Sequence, residues 1–193
     1  LRLRFKYEVT DKDGDTDSAF LTVTIKDSGP EAKDEEAKMM DEAKGAQVDG
    51  QLDYLQGADC PAVVSALVFK GAFDGETYQE LDLTSCGKPV VFEEATINNN
   101  GILIYKGMVE HDGQLEEVIT VKIDTNTGKY WIKQLQGIDH PDEGETGADD
   151  PILLTFKYAV TDKDGDTDYA HLTVVIKDDG PEAKDDWKMI QEA

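Results

Sequence analysis

The sequence predicts an all-β protein built as an antiparallel sandwich. Apolar and polar residues alternate wherever periodicity is visible, which is the pattern of strands with one buried face. Turns rich in Asn, Asp and Gly separate these segments at intervals of roughly 8 to 15 residues, as in a β-sandwich. The hydrophobic share of 39% is low for a globular chain, but its periodic placement favours a folded protein over a disordered one.

Two predicted hairpins carry the clearest alternation. Successive side chains of a strand point to opposite faces, so each hairpin presents one apolar face. In the first hairpin this face comprises Leu3, Phe5, Tyr7, Val9, Ala19, Leu21, Val23 and Ile25. In the second it comprises Leu154, Phe156, Tyr158, Val160, Ala170, Leu172, Val174 and Ile176.

Residues 30–44 allow two interpretations. Their strong helix formers, with Pro30 near the start and Gly45 just beyond the end, are compatible with a helix. The apolar face of that helix would be thin, however. We therefore favour a short linker followed by an edge strand at residues 38–41.

The centre of the chain adds strands at residues 102–105 and 118–123, the second with a break in its alternation. Turns with Gly beside Asn, Asp or Thr are expected near residues 75, 100, 112 and 127. Cys60 and Cys86 are too few for a disulfide framework and too far apart for a CxxC metal motif. They form one disulfide or remain two thiols.

The two hairpins belong to an internal repeat with an offset of 151 residues. Residues 5–34 recur as residues 156–185, and 25 of the 30 positions are identical. This period is domain-sized and far longer than a solenoid repeat. We therefore expect residues 1–29 to be the C-terminal hairpin of a preceding repeat, 30–180 a complete repeat and 181–193 the start of the next. The alternatives are that the first hairpin packs into the same domain or swaps between molecules.

The charge of the chain restricts its partners. Asp and Glu number 42 against 19 Lys and Arg, for a formal net charge of −23. Such a charge opposes nucleic acid and anionic membrane surfaces and favours cations. No run of about 18 apolar residues is present, so we expect no membrane insertion.

The loop of each hairpin has the sequence DKDGDTD, the most chemically informative motif of the chain. Its carboxylates repel one another unless a hard cation gathers their oxygens. A flexible loop suits Ca²⁺ better than Mg²⁺, which demands octahedral geometry. The Gly and Glu positions of an EF-hand do not match, and the alternative is a solvated acidic turn. The predicted calcium ligands are Asp11, Asp13, Asp15 and Asp17 in the first loop and Asp162, Asp164, Asp166 and Asp168 in the second.

A second group of carboxylates flanks the predicted repeat boundaries, where bound ions would stiffen the linkage. Its members are Asp27, Asp34, Asp178 and Asp185. The alternative is an acidic linker that only adds solubility.

His140 lies in a third acidic cluster, which raises the question of a zinc site or a catalytic site. A lone His beside Pro, with no second His or Cys nearby, is more typical of a turn residue that caps backbone groups. The chain also lacks the motifs of serine hydrolases, zinc proteases, P-loop enzymes and dinucleotide-binding enzymes. We therefore expect no catalytic activity and no catalytic residue.

Residues 156–181 follow the pattern FxYxVTDxDGDxDxAxLTVxIxDxGP. They are preceded by Gly128-Lys129-Tyr130-Trp131 and by Ile138-Asp139-His140-Pro141. In this order the motifs resemble the tandem repeats of type I secreted RTX adhesins, and the similarity covers the whole unit. The resemblance implies an Ig-like or cadherin-like extender domain that binds calcium, holds the chain rigid and projects a distal ligand-binding module. It also implies a secreted protein attached to the outer membrane of a Gram-negative cell.

These observations lead to the expectation of a monomeric, non-enzymatic extender whose partners are calcium ions and neighbouring repeats. An acidic chain would stay extended at low calcium and fold where calcium is abundant. The alternative is a module that itself binds carbohydrate or a host protein through exposed aromatic residues. Tyr105, Tyr130 and Trp131 are the candidates, although one of each alternating pair is expected in the core.

Overall fold

The computed structural model describes residues 1–75, 77–141, 150–178 and 185–189, and in these ranges the protein is all-β. Among these residues, none belongs to a helix long and apolar enough to cross a membrane. The strands are β1 (Arg2–Thr10), β2 (Thr16–Thr24), β3 (Glu31–Ala32), β4 (Lys38–Asp41), β5 (Gln47–Gln51), β6 (Tyr54–Leu55), β7 (Val63–Asp74), β8 (Glu80–Leu81), β9 (Thr84–Ser85), β10 (Lys88–Pro89), β11 (Val91–Phe92), β12 (Thr96–Ile97), β13 (Ile102–His111), β14 (Gln114–Asp124), β15 (Lys129–Gln134), β16 (Ile152–Thr161) and β17 (Thr167–Lys177).

Two sheets form an Ig-like β-sandwich, which confirms the predicted fold class. One sheet has the order β4-β17-β16-β7-β8. The other has the order β11-β13-β14-β15-β5, with β12 also paired to β13. Three two-stranded pairs, β1-β2, β9-β10 and β3-β6, complete the described structure.

An aromatic cluster joins the two sheets in the core. Phe156 on β16 and Phe69 on β7 come from one sheet, and Phe92 on β11 and Tyr105 on β13 come from the other. Phe69 and Phe92 are stacked with ring centroids 4.3 Å apart. The Tyr105 hydroxyl, which is buried with its ring, accepts a hydrogen bond from the backbone N of Phe69 at 3.1 Å. The apolar face predicted for the second hairpin and the strand predicted at residues 102–105 therefore both contribute to this core.

The first hairpin has the same strand pairing as the second but is far more exposed. Phe5 pairs with Leu21 and Phe156 pairs with Leu172, at positions related by the repeat. Phe156 is fully buried, whereas the Phe5 residue is 52% exposed. The strands β1 and β2 pair only with each other in the described structure. Among the described residues, no sheet therefore covers the apolar face of the first hairpin.

The segment 30–44 forms the predicted edge strand rather than a helix. Strand β4 occupies Lys38–Asp41 at the edge of its sheet and buries Met40. Its pairing with β17 is parallel, which is an exception to the antiparallel arrangement we predicted. The physical reason is that residues 32–42 run beside β17 in the same direction, with the Glu35 N donating to the His171 carbonyl and the Glu42 N to the Lys177 carbonyl.

The strand predicted at residues 118–123 does depart from simple alternation, but the departure is a β-bulge at its first residue. Strand β13 changes register against β14 between Gly107 and Met108, so that Val118 is an extra residue. As a result Val118 and Ile119, which are adjacent in the chain, are both buried.

Cys60 and Cys86, which could have formed one disulfide or remained two thiols, are exposed free thiols.

Candidate metal centre at the repeat junction

The loop of the second hairpin is organised by its first carboxylate. Asp162 Oδ1 accepts hydrogen bonds from the backbone N of Gly165 at 3.1 Å and of Asp166 at 2.9 Å. The Asp162 residue is only 7% exposed. Its second oxygen, Oδ2, is buried and has no hydrogen-bond partner among the described residues. A buried carboxylate oxygen without a donor is costly unless a cation neutralises it.

The loop of the first hairpin repeats this geometry on the surface. Asp11 Oδ1 accepts from the backbone N of Gly14 at 3.0 Å and of Asp15 at 2.9 Å. One oxygen from each of Asp11, Asp13 and Asp15 lies within 4.8 Å of the others, and all three residues are exposed. The two loops thus share a local fold and differ in what surrounds them.

The second loop lies against the linker, residues 25–30, which joins the first hairpin to the sandwich. The Ala58 N donates to both the carbonyl and the hydroxyl oxygen of Ser28 at 3.1 Å. The Lys163 N donates to the Asp59 carbonyl at 3.2 Å. These contacts bring together the linker, the loop around residue 59 and the second hairpin loop.

Five carboxylates meet at this point, and we call Asp27, Asp59, Asp162, Asp164 and Asp166 the junction cluster. One oxygen from each of Asp162, Asp164 and Asp166 lies within 4.8 Å of the others. The same holds for Asp27, Asp59 and Asp164. Asp164 therefore belongs to both triads. A cluster of this kind can gather the oxygen ligands that a hard divalent cation prefers.

The electrostatics of the junction cluster reflect crowded negative charge. The neighbouring carboxylate of Asp162, with desolvation and the charges of nearby Asp residues, raises the pKa of Asp164 from 3.8 to about 6. The neighbouring carboxylate of Asp27 and its charge raise the pKa of Asp59.

We expect the raised pKa of Asp164 to give a measurable pH dependence in the presence of chelator. Between these pKa values the folded state keeps a proton that the unfolded state releases. The contribution of protonated Asp164 to the free energy of unfolding is therefore complete below pH 3.8 and is lost as the pH rises through about 6. The melting temperature of the wild type, relative to that of Asp164→Asn, should fall over this range. Thermal melts at matched ionic strength would measure the difference. A difference that stays constant with pH would contradict the crowding of charge at Asp164.

The last carboxylate of each loop lies outside the clusters. Asp17 Oδ1 accepts from the Ser18 N at 2.7 Å, next to it in the chain. Asp168 Oδ2 accepts from the Ala32 N at 2.9 Å and so holds β3 against β17. Their positions favour backbone hydrogen bonding over a shared ion.

The remaining predicted ligands lie apart from the junction cluster. Asp34 Oδ1 accepts from the His171 N at 2.7 Å and lies 3.1 Å from its Nδ1. Asp178 lies near Glu42 and His140 at another position. Asp185 is exposed and belongs to no group of carboxylates among the described residues. Most of the predicted next repeat, at residues 181–184 and 190–193, lies outside the described residues, as do residues 142–149 of the third acidic cluster.

Sequence reasoning missed Asp59, which contributes to the second triad. Its neighbours in the chain are Ala58 and Cys60, so no acidic motif marks it. Only the folding of its loop against Ser28 and Lys163 brings it to the cluster.

The outer face of the six-stranded sheet carries an open groove of about 780 Å³. Trp131 lines it together with Ile104, Lys122 and Lys133. The other two aromatic candidates, Tyr105 and Tyr130, are buried. Of the three aromatic candidates, only Trp131 is therefore placed to contact a ligand.

Residues 31–175 match a family described as Domain of unknown function (DUF5801). Comparison with curated proteins and with solved structures gives no match. The matched residues begin after the first hairpin and make up about three quarters of the chain. They contain Asp59 and the second hairpin loop, so four of the five carboxylates of the junction cluster lie within the match. The chain therefore belongs to the family described as Domain of unknown function (DUF5801).

Proposed function

We propose that the chain is a calcium-stabilised extender repeat of a bacterial cell-surface adhesin similar to the type I secreted RTX adhesins. In this proposal it is not an enzyme, and it spaces and stiffens a chain that carries binding domains elsewhere. The observation that carries the proposal is the composition of the junction cluster. Asp27 follows the first hairpin, whereas Asp59 and Asp164 belong to the sandwich, so an ion bound by all three would tie one repeat to the next.

The chemistry of the cluster favours Ca²⁺. Calcium takes six to eight oxygen ligands in flexible geometry, and loop carboxylates with backbone carbonyls and water can supply them. Two triads that share Asp164 could hold two ions with a bridging carboxylate. For a Kd of about 0.1 to 1 mM, each ion adds roughly 0.4 to 3 kcal/mol to folding at about 1 to 10 mM calcium.

The proposed mechanism is mechanical. Without an ion, the carboxylates of Asp27, Asp59 and Asp164 repel one another across the junction, and the hairpin and the sandwich can separate. With calcium bound, repulsion becomes attraction through the ion, and the orientation of the two parts is restricted. Folding would then be unfavourable at the low calcium concentration of the cytosol and favourable at the higher concentration outside the cell.

Thermal melts with and without calcium test the proposal, with magnesium as a control and calorimetry to count the bound ions. We expect a calcium-specific rise in melting temperature. Asp164→Asn should remove most of this rise because the side chain belongs to both triads. Asp13→Asn is the matched control, since Asp13 has the same loop position in the exposed hairpin and should leave most of the rise intact. If the melting temperature is the same in calcium as in chelator, the proposal is refuted.

Stiffening is tested separately by small-angle scattering of the whole chain. Calcium should narrow the distribution of distances between the first hairpin and the sandwich, and Asp27→Asn should abolish this narrowing. Stabilisation of the sandwich without any change in scattering would separate calcium binding from the spacer role and would contradict the latter.

The groove beside Trp131 favours a second candidate function, direct binding of carbohydrate. Lys129 Nζ lies 5.2 Å from the centre of the Trp131 ring, which leaves an amphipathic surface with cationic neighbours. Binding on a glycan array that Trp131→Ala abolishes would support this candidate. Absence of glycan binding by the wild type would exclude it.

A further inference from the structure

Three polar side chains meet at one end of the sandwich, away from the junction cluster. Glu42 directly follows β4, Asp178 directly follows β17, and His140 lies in the loop after β15. One ligand atom from each of the three lies within 4.8 Å of the others. The Glu42 N donates to the Lys177 carbonyl at 2.9 Å, which holds the ends of β4 and β17 together.

The imidazole of His140 is buried and presents a free nitrogen to this group. Its side chain is 4% exposed. Nδ1 lies 2.6 Å from the Asp150 carbonyl, which can only accept, so Nδ1 carries the proton of the neutral ring. In the neutral ring Nε2 then holds a lone pair, and Nε2 has no hydrogen-bond partner among the described residues. A backbone carbonyl that orients a histidine in this way is a common feature of metal sites.

Glu42 is also buried and has one oxygen available. Its Oε1 accepts from the Ile138 N at 2.7 Å and from Gln134 Nε2 at 3.2 Å. Its Oε2 lies 3.5 Å from His140 Nε2. That separation is long for an N–H···O hydrogen bond. It matches the distance of about 3.4 Å between two ligand atoms on one tetrahedral zinc ion, given zinc–ligand distances near 2.0 to 2.2 Å.

We propose that Glu42, His140 and Asp178 form a site for a divalent transition-metal ion of the zinc class. The ligands are His140 Nε2, Glu42 Oε2 and an Asp178 carboxylate oxygen, with water in the fourth position. An imidazole nitrogen favours such ions over Ca²⁺ and Mg²⁺, which prefer oxygen ligands. The site is therefore chemically distinct from the junction cluster and does not depend on the proposed function.

The position of the site gives the ion a structural role. Strands β4 and β17 belong to the five-stranded sheet, whereas β15, which precedes His140, belongs to the six-stranded sheet. An ion bound by Glu42 and Asp178 on one side and by His140 on the other would hold the two sheets together at this end. Zinc binding should accordingly raise the melting temperature of the chain.

Zinc titration by calorimetry tests the site, using the metal-free full chain in excess calcium so that the acidic loops are occupied. Cys60 and Cys86 are replaced by Ser, because both exposed thiols could bind zinc themselves. We expect a single zinc ion per chain and a visible absorption band when Co²⁺ is substituted. His140→Gln should abolish this binding or raise the Kd at least about tenfold. His171→Gln is the matched control, since His171 also faces a carboxylate but on the exposed surface.

A second pair of variants covers the possibility that His140→Gln prevents folding. Asp178 and Asp27 occupy equivalent positions of the repeat, and only Asp178 lies beside His140. Asp178→Asn should weaken zinc binding at least about tenfold, and Asp27→Asn should leave it unchanged. Failure of the wild type to bind zinc, or equal binding by Asp178→Asn and Asp27→Asn, would overturn the proposal.

Discussion

Phe156→Ala should lower the free energy of unfolding by about 3 to 5 kcal/mol, the cost of removing a large aromatic side chain from a packed core. Phe156 is fully buried between the sheets. Its ring centroid lies 5.4 Å from that of Phe69, 5.6 Å from that of Phe92 and 6.4 Å from that of Tyr105. The loss combines the transfer of the ring to water with the cavity left among these neighbours. Urea unfolding at fixed calcium would measure it.

The chain contains its own control for this variant. Phe5 occupies the same position of the first hairpin, in the same pairing register, but lies on an exposed face. Phe5→Ala should therefore change stability by no more than about 0.5 kcal/mol. In a chain extended by a further N-terminal repeat, Phe5→Ala should become as costly as Phe156→Ala. Equal costs for the two variants in the present chain would show that the first hairpin packs against a sandwich, in the same molecule or a swapped partner.

Gly57→Ala should disrupt the junction between the linker and the sandwich. Gly57 has a φ of 74°, where a side chain costs about 1 to 2 kcal/mol. An added Cβ would also lie 2.7 Å from the Gly29 carbonyl oxygen and closer still to that of Ser28. Because these contacts are with backbone, the linker must shift, at a further cost on the order of 1 to 3 kcal/mol. The shift should separate Asp27 from Asp59 and weaken calcium binding, as measured by calorimetry.

Gly87→Ala separates the cost of a side chain at positive φ from the cost of the clash with the linker. Gly87 has a nearly equal φ of 70°, but an added Cβ would meet no atom within 4 Å. This variant should therefore show only the backbone cost and should bind calcium as the wild type does. If Gly57→Ala retained full calcium affinity, the contact between the linker and the sandwich would not be needed for the junction cluster.

Local pattern was sufficient to predict much of the fold. The alternation in residues 152–177 predicted β16 and β17, and the thin apolar face of residues 30–44 favoured the strand Lys38–Asp41 over a helix. The parallel partner of that strand was not predictable, because β4 and β17 are far apart in the chain and nothing in either segment specifies the other. Likewise, the sequence showed a break in alternation within residues 118–123 without revealing that the extra residue of the register shift is Val118.

Some carboxylates of the candidate sites were likewise predictable from local sequence, and others were not. The motif DKDGDTD brings Asp162, Asp164 and Asp166 together through hydrogen bonds within one loop, so its acidic spacing was informative. Asp59 and Glu42 have no comparable local signal. Each reaches its cluster only because distant segments pack against each other.

The sequence by itself determined the two hairpins, the edge strand at residues 38–41, the turns, the acidic loops and the repeat, since all of these depend on residues close together in the chain or on identity between two segments. The tertiary structure alone decided which of two identical loops is enclosed. Asp11 and Asp162 have the same neighbours in sequence, yet only Asp162 is buried, because Asp59 and the linker that carries Asp27 lie against its loop. Burial and shared ligands depend on contacts between distant segments, and local sequence does not encode which segments meet.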